Sequence, residues 1–188
     1  MPLELPYPPP TDGTIVLRGW RAGDAATVVE AGTDPAISEM TTVPPHCDRD
    51  GALQWIARQQ QRLDEGTGYP FCIAGAGDDR AGGFIGVWLD ARLSANLGYW
   101  VAPGSRGRGV AARAVELVSA WAFARLRLAR LEIWVEPANV ASQRVAERAG
   151  FTHEGLLRSY VQLRTRRGDA HMYARLPPDA PAQPAIAP

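Results

Sequence analysis

The sequence predicts a mixed α/β domain with about four helices and a mostly antiparallel sheet of about seven strands. Three observations lead to this fold class. Strand-like and helix-like segments follow one another in the order strand, helices, three strands, helix, strand, helix, two strands. The three strands over 69–76, 82–91 and 94–102 are joined by short turns, which favours an antiparallel meander. The strand–helix–strand unit over 97–135 implies a right-handed crossover between two parallel strands.

Strands are predicted where β-branched and apolar residues concentrate between turn residues. They cover 14–20, 69–76, 82–91, 94–102, 131–135, 153–163 and 170–176. Helices are predicted where apolar residues recur every three or four positions after a capping residue or glycine. They cover 24–31, 48–64, 107–126 and 139–149, with 35–40 a further turn or short helix. Two prolines make 41–47 a loop, and Gly150 provides a C-terminal stop for the last helix.

The 188 residues fit one domain, and the composition of 46% hydrophobic and 21% charged residues is that of an ordinary globular protein. We expect this single domain to occupy 13–176. Residues 1–12 include five prolines and are expected to form an extended arm. Residues 177–188 have the composition of a disordered tail.

The charge balance and the cysteines exclude several classes of partner. Twenty basic and twenty acidic residues cancel, so no overall field draws the chain to nucleic acid or to an anionic membrane. No apolar run has the length of a membrane span, and the N-terminus lacks the basic and apolar regions of a signal peptide. Cys47 and Cys72 lack metal-ligand spacing and are expected to be reduced structural thiols. These features predict a cytoplasmic protein without a metal.

The stretch over 97–117, LGYWVAPGSRGRGVAARAVEL, carries the chemistry. A strand leads through a turn into an arginine–glycine loop and then into a helix. Unpartnered N–H groups and the partial positive charge of a helix N-terminus suit a phosphate, and glycine lets the backbone approach it closely. The loop alone is equally typical of a glycine-rich entry to a buried helix or of an RNA-binding segment. The flanking strand and helix favour a diphosphate, held by neither a P-loop nor a dinucleotide fingerprint, because the chain has no lysine and no Gly-x-Gly-x-x-Gly.

Four motifs in this order resemble the GNAT superfamily of acyl-CoA N-acyltransferases, and in particular its RimJ/RimL-like ribosomal-protein N-acetyltransferase branch. They are Gly98-Tyr99-Trp100-Val101, the loop from Arg106 to Ala111, Asn139-Val140-Ala141-Ser142 followed by Gly150-Phe151, and Asp169 with Tyr173-Ala174-Arg175-Leu176. The similarity extends over 14–176 in element order and is sharpest over 96–176.

The resemblance implies a splayed parallel strand pair and acetyl-CoA as co-substrate, with no metal. Backbone amides over 106–111 would hold the diphosphate, and the strand ending at Val101 would bind the pantetheine arm and polarise the thioester carbonyl. Asn139 would contact the pantetheine or order a water. The implied binding residues are Val101, Arg106, Gly107, Arg108, Gly109, Val110, Ala111 and Asn139.

Two family positions are altered here. Many members carry a tyrosine, acting as general acid, where this chain has Ala146, and in the RimL-like pattern the helix serine, Ser142, takes that role. The alternative for Ser142 is an ordinary helix hydroxyl that bonds its own backbone. Members often carry a glutamate base on the central strand, where this chain has Asn96. Glu136, Glu154 or Asp169 could serve through water, although each is also explained as a solvated charge or a turn residue.

A site without a strong base favours an amine of low pKa. The predicted function is therefore an N-acetyltransferase in which a primary amine attacks acetyl-CoA directly, with the α-amino group of a protein or peptide as acceptor. Two alternatives remain open: acetylation of a small-molecule amine such as an aminoglycoside, and a non-catalytic acyl-CoA-binding module. A monomer and a homodimer are both compatible with the sequence.

Overall fold

Seven strands form one sheet in the computed structural model, which describes residues 1–90 and 92–178. The strand order is β1-β2-β3-β4-β5-β7-β6. The strands are β1 Ile15–Arg18, β2 Gly68–Gly75, β3 Ala81–Leu89, β4 Ser94–Val101, β5 Arg130–Val135, β6 Thr152–Gln162 and β7 Arg167–Arg175. All neighbours are antiparallel except β4 and β5, which are parallel. The predicted fold class, with its single parallel pair, is confirmed.

Five α-helices lie in the described part of the chain, one more than the approximate number expected, because 35–40 is helical. They are α1 Ala25–Gly32, α2 Pro35–Met40, α3 Arg49–Asp64, α4 Val110–Leu126 and α5 Val140–Arg148. Asp34, Asp48 and Asn139 cap α2, α3 and α5 through side-chain oxygens that accept backbone N–H groups.

Two element boundaries differ from the prediction by three residues, for clear reasons. Helix α4 begins at Val110 instead of 107, because Gly107 and Gly109 have φ of 75° and 72° and no right-handed helix includes such residues. Strand β7 begins at Arg167, so the turn after β6 is shorter than the predicted 164–169. Its backbone closes where Leu163 N–H donates to Arg166 O at 2.8 Å.

Helices cover both faces of the sheet. On one face, α4 and α5 cover a core that includes Ile85 and Leu97. On the other, α1, α2 and α3 cover a core that includes Phe84 and Trp100, in which Trp20 and Trp55 make further aromatic contacts. Because successive side chains of a strand point to opposite faces, β3 and β4 contribute to both cores.

Strands β4 and β5 pair over only three positions, from Ser94 opposite Arg130 to Asn96 opposite Glu132. After Asn96 the two strands diverge, although β4 continues to Val101 and remains paired with β3. This divergence is the predicted splay, and it opens the sheet at the start of α4 and α5.

The N-terminal segment, expected as an extended arm over 1–12, has no helix or strand and lies against the domain. Leu3 N–H donates to Leu63 O at 2.8 Å, Leu17 N–H donates to Pro10 O at 2.9 Å, and Leu5 packs on the core. Of the tail predicted as disordered over 177–188, residues 179–188 lie outside the described residues. No helix in the described ranges is long and apolar enough to cross a membrane.

Candidate active site

A cleft of about 1330 Å³ occupies the opening between β4 and β5. The diverging ends of both strands, the loop before α4 and the first turn of α5 line one part of it. Helix α2, Trp88 and the end of β6 line the other part. The glycine loop and the Asn139–Ser142 motif, separated by about thirty positions in the sequence, therefore line one cavity.

The free edge of β4 supplies backbone donors to this cleft. Ala102 N–H donates to Gly82 O at 3.0 Å, toward β3. Because backbone groups alternate between the two edges of a strand, those of Tyr99 and Val101 face the opposite edge. No described strand pairs with β4 there, since the β5 pairing ends at Asn96. The N–H groups of Tyr99 and Val101 are thus available to an extended ligand.

The loop before α4 fits a diphosphate. Gly107 and Gly109 adopt left-handed backbone conformations, and a Cβ added at either would meet no atom within 4 Å. Among the described residues, no side chain caps the helix at Gly109, and Val110 and Ala111, whose N–H groups have no partner in the first helical turn, line the cleft. Arg108 is exposed beside them. An open, positively polarised backbone of this kind is what a diphosphate requires.

Arg106 has a supporting position in this loop. Its Nε donates to Val101 O at 3.0 Å, and its Nη2 lies 2.5 Å from the Asp34 carboxylate. Its backbone N–H donates to Pro103 O at 3.3 Å. Gly104 N–H is likewise held, donating to Glu30 Oε1 at 2.6 Å. Glu30 of α1 and Asp34 at the N-cap of α2 therefore hold the loop that contains Gly107 and Gly109.

The motif at the start of α5 places Ser142 in the cleft. Asn139 Oδ1 accepts from Ser142 N–H at 3.1 Å, which caps the helix and orients its first turn. The Ser142 side chain is half-buried and lines the cleft, and its hydroxyl makes no hydrogen bond within the described ranges. Ala146, one turn further, is completely buried in the core and does not reach the cleft. Ser142 is thus the α5 hydroxyl that is free to act on a ligand.

Tyr99 carries a second hydroxyl at the first turn of α5, and the sequence analysis did not predict a role for this hydroxyl. Its phenol donates to Ser142 O at 3.4 Å and joins β4 to α5 across the opening. Burial raises the pKa of Tyr99 to about 12, so the phenol stays protonated at neutral pH. The available signal was its alternation with Leu97 on β4, which places both side chains on the face toward α4 and α5.

Asn96 is the last residue of β4 that pairs with β5. Asn96 Nδ2 donates to Glu132 O at 3.4 Å, opposite it on β5. The Glu132 carboxylate accepts from Arg130 Nε at 2.7 Å and from Trp134 Nε1 at 3.1 Å. Each of its two carboxylate oxygens therefore already accepts a hydrogen bond from a side chain of β5.

The carboxylates considered as water-mediated bases are also engaged. Glu136 binds Arg166, Glu154 binds Arg130, and Asp169 accepts Ser159 N–H at 2.7 Å. The Arg130 guanidinium lowers the pKa of Glu154 below its usual value. Of these three, only Glu136 lines the cleft.

The far end of the cleft is built from β6. Arg164 donates to Ser38 O at 2.8 Å and to Val43 O at 3.0 Å, so it ties the β6–β7 turn to α2. The Tyr160 ring packs edge-on against Trp134, with centroids 4.9 Å apart. Within residues 1–90 and 92–178, no three His, Cys, Asp or Glu side chains gather as a metal site requires.

Comparison with known proteins agrees with this geometry. The model of the acetyltransferase (GNAT) domain matches residues 14–152. The chain is 36% identical over 133 residues to "Probable N-acetyltransferase YjcK" of Bacillus subtilis, which covers 69% of this chain and 74% of that protein.

Solved structures share the fold. Mycobacterium smegmatis RimJ in complex with CoA-disulfide superposes with a TM-score of 0.75 at 26% identity, covering 89% of this chain and 84% of that one. RimL, a ribosomal L7/L12 alpha-N-protein acetyltransferase in complex with coenzyme A, has a TM-score of 0.75 at 19% identity, covering 89% and 96%. The protein therefore belongs to the GNAT family of acetyltransferases and is an N-acetyltransferase that uses acetyl-CoA.

Proposed function

We propose that this enzyme acetylates the α-amino group of a peptide or protein by direct attack of the amine on acetyl-CoA. The observation that carries the proposal is Asn96, an uncharged amide at the strand position next to the opening. The carboxylate opposite it, Glu132, is held by two donors. The acceptor amine must consequently arrive largely deprotonated without help from a strong base.

The choice of acceptor follows from amine basicity. An α-amino group with a pKa of about 7.8 is roughly 10–15% neutral at pH 7, whereas a lysine side chain at about 10.4 is only about 0.04% neutral. When the enzyme does not remove the proton, this difference lowers the rate for lysine by more than two orders of magnitude relative to an α-amino group. The fold neighbour RimL is named as an alpha-N-protein acetyltransferase, which is compatible with the same class of acceptor.

In this proposal, different residues of the cleft bind different parts of acetyl-CoA. The open amides from Gly107 to Ala111 bind the diphosphate, with Arg106 supporting the loop and Arg108 adding charge at its rim. The N–H groups of Tyr99 and Val101 bind the pantetheine arm, and Val101 N–H polarises the thioester carbonyl.

At the reacting end, Asn139 orders the first turn of α5 and contacts the pantetheine or a water. The amine nitrogen forms its bond to the acetyl carbon, the carbon–sulfur bond breaks, and the Ser142 hydroxyl donates toward the departing thiolate. The proton left on the new amide nitrogen passes through solvent to restore the Ser142 hydroxyl, so coenzyme A leaves as the free thiol. The two products are the N-acetylated peptide and free coenzyme A, and together they contain all atoms of the two substrates.

The test compares three acceptor classes by release of free thiol from acetyl-CoA. The first is a lysine-free peptide with a free N-terminus, the second is an N-terminally blocked peptide with one lysine, and the third is an aminoglycoside. We expect turnover with the first at least tenfold faster than with the other two. Faster turnover of the blocked lysine peptide or of the aminoglycoside overturns the proposal, and mass spectrometry of the product locates the acetyl group.

A further inference from the structure

Trp88, on β3, lies flat on a patch of glycines at the acceptor end of the cleft. A Cβ on Gly68 of β2 would lie 2.4 Å from its ring, and one on Gly86 of β3 would lie 2.6 Å from it. A Cβ on Gly98 of β4 would lie 3.5 Å from its Nε1. Three adjacent strands thus leave room for one indole, and a side chain at Gly68 or Gly86 would displace it.

This platform adjoins the reaction centre. Trp88 pairs with Asn96 in the β3–β4 register, and both residues line the cleft. Directly opposite residues of an antiparallel pair have Cα atoms about 4.5–5.5 Å apart. A group bound on Trp88 therefore lies about one strand spacing from Asn96, where the acceptor amine enters the opening between β4 and β5.

Arg62, in the last turn of α3, covers the platform with its guanidinium. Its Cζ lies 4.7 Å from the centroid of the Trp88 ring. Its Nη1 donates to Gln59 Oε1 at 2.9 Å, and Gln59 is itself buried and donates to Trp55 O at 2.8 Å. An amide and an indole thus hold the guanidinium, which lines the cleft and makes no other hydrogen bond among the described residues.

The charge of Arg62 has no carboxylate partner. No Asp or Glu oxygen of the described residues lies within 4.0 Å of its guanidinium, whereas Arg58, one turn earlier, binds Glu65 at 2.9 Å. Burial and the neighbouring charge of Arg58 lower the pKa of Arg62 from its ordinary value, and the Glu65 carboxylate opposes this shift only in part. Two cleft carboxylates, Glu136 and Glu39, are engaged elsewhere, by Arg166 and by the Thr165 hydroxyl.

We infer that Arg62 and Trp88 form an acceptor subsite for a carboxylate carried next to the reactive amine, so that the enzyme prefers peptides with an acidic residue beside the acetylated N-terminus. A planar guanidinium held in position binds a carboxylate through two parallel N–H···O bonds. The inference rests on the proposed function, because it assumes that the amine belongs to a peptide. It also disfavours an aminoglycoside acceptor, because the Arg62 guanidinium would repel its positive charges.

The experiment measures kcat/KM for peptides that differ only at the second residue: Ser-Glu, Ser-Gln and Ser-Lys at the N-terminus of one lysine-free sequence. We expect the Glu peptide to exceed the Gln peptide by about tenfold to a hundredfold, the range for a hydrogen bond to a charged group, and the Lys peptide to be poorest. In Arg62→Gln the ratio of Glu to Gln peptide should fall to about one. Arg62→Lys keeps the charge without the fork and should give an intermediate ratio.

Arg49→Gln is the matched control, because it removes an exposed arginine from the first turn of the same helix, outside the cleft. It should leave the ratio of Glu to Gln peptide at the parent value. Thermal unfolding and acetyl-CoA affinity, measured on each variant, separate loss of the subsite from loss of the fold. Equal rates for Glu and Gln peptides in the parent overturn the subsite, as does a preference for Glu that survives in Arg62→Gln.

A separate arm distinguishes this failure from failure of the proposed function. Glycine and β-alanine are compared with glycinamide and β-alaninamide, which carry no carboxylate, and each rate is divided by the fraction of neutral amine so that differences in amine pKa are removed. If only such small amines react, the peptide function is wrong. The subsite then stands or falls on whether the parent prefers the carboxylate-bearing amine and Arg62→Gln loses that preference.

Discussion

The Arg106 guanidinium lies 2.5 Å from the Asp34 carboxylate while its Nε donates to Val101 O at 3.0 Å. One side chain thereby connects the end of β4 with the N-terminus of α2. The strand that we propose binds the pantetheine arm and the loop that we propose binds the diphosphate are therefore held in one relative position.

We expect Asp34→Asn to weaken acetyl-CoA binding about threefold to tenfold, because a partly exposed ion pair contributes up to about 1 kcal/mol and here orders a binding loop. Asn retains the cap that Asp34 makes to Ala36 N–H, so α2 should remain folded. Isothermal titration calorimetry with acetyl-CoA measures the effect. Asp48→Asn, at the matching cap of α3 and outside the cleft, should bind like the parent. Unchanged affinity in Asp34→Asn with α2 intact would falsify the supporting role of Arg106.

The open glycine of the loop provides a second test. Gly109 has φ of 72° and Gly13 has φ of 81°, and a Cβ at either meets no protein atom within 4 Å. Valine at either position should cost about 1–3 kcal/mol of unfolding free energy through backbone strain alone. Only Gly109→Val should also lower acetyl-CoA affinity, by at least tenfold, because its side chain fills the space that the diphosphate needs. Calorimetry and thermal unfolding on both variants give the comparison; equal affinity in the two variants would show that the loop does not hold the diphosphate.

The sequence alone predicted the features that depend on neighbouring residues. Periodicity predicted the seven strands, the meander and the crossover, and Asn139 was recognisable as the start of a helix. Gly107 and Gly109 were singled out because only glycine adopts their backbone conformation at no cost. Each of these signals lies within a few positions of the residue that it concerns.

The contacts that the sequence did not predict join distant segments. Glu30 binds Gly104 N–H across 74 positions, and Arg164 reaches Ser38 O across 126. Arg62 and Trp88 meet only because β2, β3 and β4 present glycines at one place on the sheet. Charged residues of this kind appear in the sequence as ordinary solvated positions, and only the fold reveals their partners.

The pH dependence of the reaction follows from the absence of a carboxylate at Asn96. For a peptide with an α-amino pKa of about 7.8, kcat/KM should rise about tenfold per pH unit below that value and level off above it, because only the neutral amine attacks. Tyr99, with its pKa raised to about 12, stays protonated throughout and adds no second step between pH 6 and 9.

The measurement is kcat/KM from pH 6 to 9 for two peptides whose N-terminal pKa values differ. The break in the profile should move with the pKa of the substrate. A break that stays at one pH for both peptides would assign it to a group of the enzyme, and a flat profile would contradict the base-poor site.

Ser142 and Tyr99 lead to the last prediction, because both hydroxyl-bearing residues meet at the first turn of α5. Ser142→Ala should lower kcat about tenfold to a hundredfold, the low end for a positioned acid–base group, since a serine hydroxyl is a weak acid and a thiolate is a stable leaving group. Acetyl-CoA affinity should stay near the parent value, because the cap from Asn139 to the Ser142 backbone remains. Ser142→Thr keeps a hydroxyl and should recover most of the rate.

Tyr99→Phe removes the phenol that donates to Ser142 O but keeps the ring against the core. If Tyr99 acts by positioning Ser142, its loss should matter less once Ser142 is alanine, so the double variant should be faster than the product of the two single effects. Independent, multiplicative effects would mean that Tyr99 acts on the substrate itself. An unchanged kcat in Ser142→Ala, under conditions in which the absence of a product burst shows chemistry to be rate-limiting, would leave that serine as an ordinary helix hydroxyl.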